Sequence, residues 1–306
     1  MTNFNKLLKG AFLSTVGIVS SLFFINKYKT KPKPQSIPAF FSKPAPYILA
    51  HRGGMAVRPE NTKLAFDNAV AHNIDGFDIS IRITKDNQLI VFNDTDVDRT
   101  TNGSGKVSEH TLDELQNLDA GYHYTDINNF KPYEAHPDAR ILSLGELLDL
   151  YPNQVISITL SDNPNSSHGQ LVPELLYKII VTHDAQERVL VSSAYQEHID
   201  QISKLSNGFI AIGARPCEIA EGFSKFNLGL GHMFQTNAHT FHMPIAIKGV
   251  KLNSPRFIHW LNERNIVPSY YGVNNLDLMN DLLFHGAHTL ITDRPDLAER
   301  FKLTYH

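Results

Sequence analysis

From Tyr47 onward, short apolar, β-branched runs alternate with segments of helical period, and no other feature of this 306-residue chain restricts its fold as tightly. The runs lie at Tyr47 to Ala50, Gly76 to Ile81, Val155 to Leu160, Val189 to Ser192, Phe209 to Gly213, Ile247 to Leu252, Ile266 to Ser269 and Thr289 to Thr292. Between most of them stand Asn61 to His72, Ser143 to Tyr151, Val172 to His183, Gln196 to Leu205, Pro255 to Arg264 and Leu276 to Gly286, which carry apolar residues at helical spacing. Strands that alternate with helices pair in parallel through right-handed crossovers, and eight such units close on themselves over about 250 residues. The expected fold is therefore α/β, a (β/α)8 TIM barrel. Leu89 to Phe92 follows the turn Lys85-Asp86-Asn87 and reads as the return arm of a hairpin above the second barrel strand. That geometry returns Asn93 and Asp94 beside Asp78 and Ser80, at the end of the barrel where active sites of this architecture sit.

Ahead of the alternating region, Leu7 to Ile25 is apolar apart from Lys9 and several Ser and Thr. At about 1.5 Å rise per residue it is just long enough to cross a bilayer, with Lys9 reaching the interface. The Lys/Pro-rich stretch behind it, Lys27 to Pro34, lacks the small residues of a cleavage site. The expectation is an N-terminal transmembrane helix, uncleaved, that gives a single-pass membrane localisation and makes the membrane a partner. Residues 1–34 would form anchor and linker, and residues 35–306 the barrel. The side of the membrane stays open: the lysines after the anchor favour a cytoplasmic barrel by the positive-inside rule, whereas short N-terminal anchors commonly leave their tails inside.

Composition narrows the function classes. With 42% hydrophobic and 19% charged residues, the chain can bury a full core. A net charge of -3 implies no broad cationic face, so nucleic acid is not an expected partner. The single Cys217 can form no intramolecular disulfide. Fifteen histidines are scattered without paired metal-ligand spacing.

The chemistry-bearing stretch runs from Tyr47 to Asp119. A short strand ending in His51-Arg52-Gly53-Gly54 delivers a base and a guanidinium fork to the carboxyl end of the barrel, with glycines that let a ligand approach the backbone. Arg52 matches two phosphate oxygens, and His51 suits ligand contact or proton transfer. Glu60 has two readings, a metal ligand or a carboxylate that favours the start of the following helix; Asp78 likewise stays between metal contact and a structural role.

His51-Arg52-Gly53, Pro59-Glu60-Asn61-Thr62, Thr84-Lys85-Asp86, Asp98-Arg99-Thr100-Thr101-Asn102-Gly103, Leu118-Asp119-Ala120-Gly121, Val273-Asn274 and Ile291-Thr292-Asp293-Arg294-Pro295-Asp296 together resemble the glycerophosphodiester phosphodiesterase family, over residues 47 to 298. The resemblance implies a (β/α)8 barrel that hydrolyses glycerophosphodiesters to glycerol 3-phosphate and an alcohol, with a divalent cation, Ca or Mg. It implies a general acid–base pair of histidines, one in the His-Arg-Gly motif and one in a His-Asp motif, with His51 and Arg52 as catalytic residues and Arg52 and Tyr271 on the substrate. Glu60 and Asp78 would hold the metal. The chain departs from that pattern at several positions, among them Asp78, which shortens one carboxylate of the second strand, and the Tyr271 to Asn274 stretch, where an aromatic Trp is usual. Ser80 stands where a second carboxylate belongs, Asn93 where the second histidine belongs, and Thr159 and Ser161 where Glu and Lys belong. Asn has no accessible pKa for proton transfer. Two readings follow: a phosphodiesterase with reduced machinery, in which His51 is the surviving proton-transfer group beside a weakly held divalent cation and His123 is a candidate for the place of the missing histidine, or a catalytically inactive barrel that binds the phosphorylated head group of a glycerophosphodiester or lysophospholipid.

Overall fold

A computed structural model describes residues 36–304. Its strands are β1 (Tyr47–His51), β2 (Gly76–Ile83), β3 (Leu89–Val91), β4 (Val155–Leu160), β5 (Val189–Ser193), β6 (Ala211–Ile212), β7 (Thr240–Pro244), β8 (Ala246–Ile247), β9 (Val250–Lys251), β10 (Val267–Tyr271) and β11 (Thr289–Thr292). The principal sheet runs in the order β6-β5-β4-β2-β1-β11-β10-β7, and every pair along it is parallel. The strands read as near-continuous β-branched and apolar runs because both faces are covered, the outer by helices and the inner by the opposite wall. β4, Val-Ile-Ser-Ile-Thr-Leu, is buried at all but one position.

The interior is layered. Tyr47, Leu49, Val155, Leu190, Ala211, Val267 and Ile291 pack with Phe40 and Phe41 of the preceding turn and close the amino-terminal end. The strand rows above carry small or hydroxyl side chains. Ser157 is fully buried, and Thr240 and Ser269 bond to each other at 2.7 Å. Gly76 is required on β2, since a Cβ there would lie 1.9 Å from the Val155 carbonyl oxygen. The register sets Leu49 opposite Gly76 and His51 opposite Asp78, so the polar residues of β1 and β2 share the carboxyl end.

Closure is almost complete. β6 and β7 share only the isolated parallel bridge between Gly213 and Thr240, helped by His239 N to Ile212 O at 2.7 Å and Ala214 N to Thr240 O at 2.9 Å. The Ile212 N–H donates to the His239 side chain, at 3.0 Å from Nδ1, in place of a backbone carbonyl.

The expected barrel is corrected in two respects. The sixth barrel strand is Thr240–Pro244, whereas Ile247 to Leu252 begins as an antiparallel hairpin, β8 with β9, outside the barrel wall. Lys248 (φ 47) and Gly249 (φ 83) turn the chain there, and Ile247 and Val250 are half exposed. The second correction concerns the membrane. Among the described residues no helix is long and apolar enough to cross one; the longest, Pro216–Asn227, has 12 residues where a span needs about 20. Leu7 to Ile25 lies outside the described residues, so the structure supplies neither the transmembrane helix of the expected fold class nor a basis for membrane partnership and localisation. The β2–β3 hairpin does form, antiparallel, with Ile81 opposite Val91.

Candidate active site

Where β1 ends, the chain turns through three consecutive left-handed residues, Arg52 (φ 51), Gly53 (φ 81) and Gly54 (φ 99). For an L side chain such as Arg52 this backbone costs about 1–2 kcal/mol, which the surroundings must offset. A Cβ on Gly53 would lie 2.8 Å from Ala65 Cβ, and one on Gly54 2.5 Å from Pro295 Cγ. The turn is thus wedged between the first and last helices of the barrel. Arg52 N donates to the Asp78 carbonyl at 2.8 Å, and Asn61 N to the Arg52 carbonyl at 2.9 Å, so the turn is pinned at both peptide ends.

His51 and Arg52 project into one charged network. His51 Nδ1–H donates to Asp293 Oδ1 at 2.7 Å, and Arg52 Nε donates to His51 Nε2 at 3.3 Å. Asp293 is itself held: its Oδ2 accepts from Asn274 Nδ2 at 2.7 Å, and its own N–H donates to Asn274 Oδ1 at 2.8 Å. Burial pushes the Asp293 carboxyl up, but the bonds from His51 and Asn274 and the charges of His51 and Arg52 outweigh it and hold the group below the usual carboxylate range. An ionised Asp293 fixes the proton of neutral His51 on Nδ1 and leaves Nε2 as the basic nitrogen.

Glu60 lies under two guanidinium groups. Arg52 Nη1 donates to its Oε1 at 2.9 Å, while Arg99 donates to both oxygens, at 2.7 and 3.0 Å. Arg99 also bonds Asp94 through Nε. The Glu60 hydrogen bond is the leading cause of the raised Arg99 pKa. Burial pushes Asp94 up, yet its bonds to Arg99 and Asn93 and the nearby arginine charges bring it below the ordinary value. Beside this network a cleft of ≈ 290 Å³ is lined by Met55, Pro59, Glu60, Arg99, His123 and Tyr124 among others.

The substituted positions hold one another. Asn93 Oδ1 accepts from Ser80 Oγ at 3.2 Å, and Asn93 Nδ2 donates to Asp94 Oδ1 at 2.8 Å, so the amide is locked in one orientation. Arg82 donates to the Asn93 carbonyl at 2.8 and 3.1 Å, to the Ser161 carbonyl at 3.0 Å and to Asp162 Oδ1 at 3.2 Å. It ties the hairpin to the loop after β4. Thr159 stands opposite Ser80 in the ladder. Asp78 is level with His51 on the neighbouring strand. Tyr271, in contrast, is 44% exposed at the end of β10 and lines a separate apolar groove.

This donor set does not fit the divalent cation that the resemblance implies. Such an ion wants about six to eight oxygens, yet both Glu60 oxygens already accept from arginines and Asp94 is bonded to Arg99 and Asn93. Among the described residues no group of three or more His, Cys, Asp or Glu side chains converges on one point.

Asp293, Asn274 and Arg99 belong to the network without having been singled out as site residues from the sequence. Position offers a signal for the first two, since each follows a barrel strand at its carboxyl end. Arg99 reads as turn chemistry in Asp98-Arg99-Thr100-Thr101, and only the fold brings it over Glu60.

Residues 51–297 match the glycerophosphoryl diester phosphodiesterase family. YhdW of Bacillus subtilis, a proposed glycerophosphodiester phosphodiesterase, is 32% identical over 258 residues, 82% of this chain and 95% of that protein. The glycerophosphodiester phosphodiesterase of Caldanaerobacter subterraneus subsp. tengcongensis is 28% identical over 256 residues, 81% of this chain and 94% of its own. Among solved structures, the glycerophosphoryl diester phosphodiesterase domain of Mycobacterium tuberculosis Rv2277c superposes with a TM-score of 0.72 at 19% identity, covering 84% of this chain and 99% of the domain. A phosphodiesterase of Oleispira antarctica, solved with the product sn-glycerol-3-phosphate, gives 0.67 at 19% identity, covering 85% of this chain and 96% of that one. At such identities the two structures speak for the shared fold.

Proposed function

The chain belongs to the glycerophosphoryl diester phosphodiesterase family, and from that premise we propose that it hydrolyses a glycerophosphodiester to glycerol 3-phosphate and an alcohol, with reduced machinery. The observation that carries this reading is the Asp293–His51–Arg52 chain at the barrel mouth. A phosphodiester carries one negative charge, and Arg52 offers it a guanidinium fork. His51, with Nδ1–H committed to Asp293, takes a proton from the attacking water at Nε2 once Arg52 Nε–H turns from that nitrogen to the phosphate, and the ionised Asp293 stabilises the imidazolium that forms. As the water oxygen bonds to phosphorus, the phosphorus–oxygen bond to the alcohol breaks, and the departing oxygen needs a proton. Asn93 has none to give. That oxygen takes its proton from solvent water, the slower route left to a site short of one acid. The resident positive charge is that of Arg52 and Arg99, and no step runs through a bound cation.

A second reading rests on Asn93. Locked between Ser80 and Asp94, it leaves a site able to hold a phosphate and short of one proton-transfer group, as an inactive binding barrel would be. Loss of one such group lowers turnover by about 10² to 10⁴-fold. Release of glycerol 3-phosphate from glycerophosphoethanolamine, with and without chelator, separates the two. We expect slow release that His51→Ala abolishes and Asn93→His raises at least tenfold. Saturable binding of the diester with no release from the unaltered protein would establish the second reading instead.

A further inference from the structure

A phosphodiester has two arms, and the mouth of this barrel has two unlike walls. On one side of the His51–Arg52 network lies the polar cleft of Glu60, Arg99 and His123. On the other, a groove of ≈ 380 Å³ is lined by Ile219, Phe223, Ile247, Val250, Leu252 and Tyr271. No carboxylate lines that groove, and its one charged lining side chain is Lys248 at the hairpin tip. Three of its apolar residues stand about half open to solvent, Ile247 at 50%, Val250 at 51% and Tyr271 at 44%, where a folded core has no use for them. Clustered exposed apolar side chains beside a polar site mark a surface built for an apolar ligand group.

Continuity joins the groove to the site. His242 and Tyr271 line it from β7 and β10, the strands whose carboxyl ends open on the mouth. His242 is close enough to Asp78 for the carboxylate to act on its charge, and Asp78 is level with His51. A ligand whose phosphate meets Arg52 therefore has a polar room to one side and an apolar channel to the other. Resting on the hydrolytic site described above, we propose that the substrate is a glycerophosphodiester whose leaving alcohol carries a long hydrocarbon chain. The glycerol hydroxyls occupy the cleft beside Glu60 and Arg99, and the chain lies in the groove under the β8–β9 hairpin.

The test uses sn-glycero-3-phospho esters of ethanol, butanol and octanol, kept below their micellar concentrations, with binding followed by calorimetry and turnover by glycerol 3-phosphate release. Each methylene that enters the groove should tighten binding or lower KM up to about fourfold, so that octyl exceeds ethyl by at least a hundredfold. In the double variant Ile247→Asp, Val250→Asp, placed on exposed hairpin positions and checked for an unaltered melting temperature, the octyl-to-ethyl ratio should collapse at least tenfold. A ratio near one in the unaltered protein, or a ratio that survives in the double variant, overturns the groove assignment alone, since the ethyl ester is still bound or hydrolysed. A 1-octanoyl glycerophosphoethanolamine preferred over the octyl ester also overturns it, by placing the chain on the other arm. Neither binding nor release of any of these esters would overturn the hydrolytic site itself, and this proposal with it.

Discussion

The contact that decides whether this barrel can do chemistry is the 2.7 Å bond between His51 Nδ1 and Asp293 Oδ1. Asp293→Asn removes the charge that fixes the histidine tautomer and stabilises its protonated form, so glycerol 3-phosphate release should fall by about 10² or more while Kd for the diester changes little. Equal losses in binding and turnover would show that Asp293 is only a brace. Arg99 gives the converse case. It bridges Glu60 and Asp94, and Arg99→Ala leaves both carboxyl groups without that guanidinium. We expect that variant to acquire calcium binding measurable by calorimetry, and equal heats for variant and parent would refute the expectation. The first motif was plain in the sequence, because His51, Arg52 and Glu60 fall within ten residues. Asp293 sits 242 positions away from His51, and no local pattern reports a partner at that distance.

The strands and helices were legible wherever a period lasted long enough to be read. The β2–β3 hairpin, the parallel order around β1 and six of the helices follow from apolar spacing and turn residues. The helix Pro216–Asn227 escaped notice because its apolar stripe is broken by Cys217, Gly222 and several polar residues. The sixth barrel strand was misplaced because Ile247, Val250 and Leu252 give Ile247 to Leu252 the apolar look of a strand, whereas Thr240–Pro244 mixes Thr, His and Pro with its apolar residues and still carries the ladder to β10. β propensity describes how a side chain suits a half-buried surface, and tertiary context overrode it here. Helix starts rest on capping chemistry, seen in the structure at the helix that follows Ser143. Ser143 accepts from Glu146 N at 3.2 Å while Glu146 returns a bond to Ser143 N at 2.8 Å. Ser143→Ala should therefore cost about 1 kcal/mol, seen as a melting temperature about 2–4 °C lower; an unchanged value would mean the cap is idle.

Taken as one body, the barrel stores neutral histidines. Burial pushes His288 down to about 4, lodged against the rings of Phe41 and Tyr47, and lowers His198 and His239 as well. In the unfolded chain these groups titrate near 6.5, so below that pH the unfolded state binds more protons than the folded one. The stability they protect is complete above about pH 6.5, declines as the pH drops from there, and for His288 levels off once the folded group also charges near 4. A melting temperature flat from pH 8 to 7 that then drops steadily toward pH 4.5, with a shallower drop in His288→Gln, is the expected result. A profile unchanged by that substitution would assign the drop to other groups. The single bridge between β6 and β7 has its own consequence. The helix Pro216–Asn227 follows β6, the β8–β9 hairpin follows β7, and the apolar groove lies between them, beside the most thinly laced edge of the cylinder. Its two banks are joined by a single bridge where every other seam of the wall carries a ladder, much as a sleeve is closed by one button at the cuff and by stitching elsewhere.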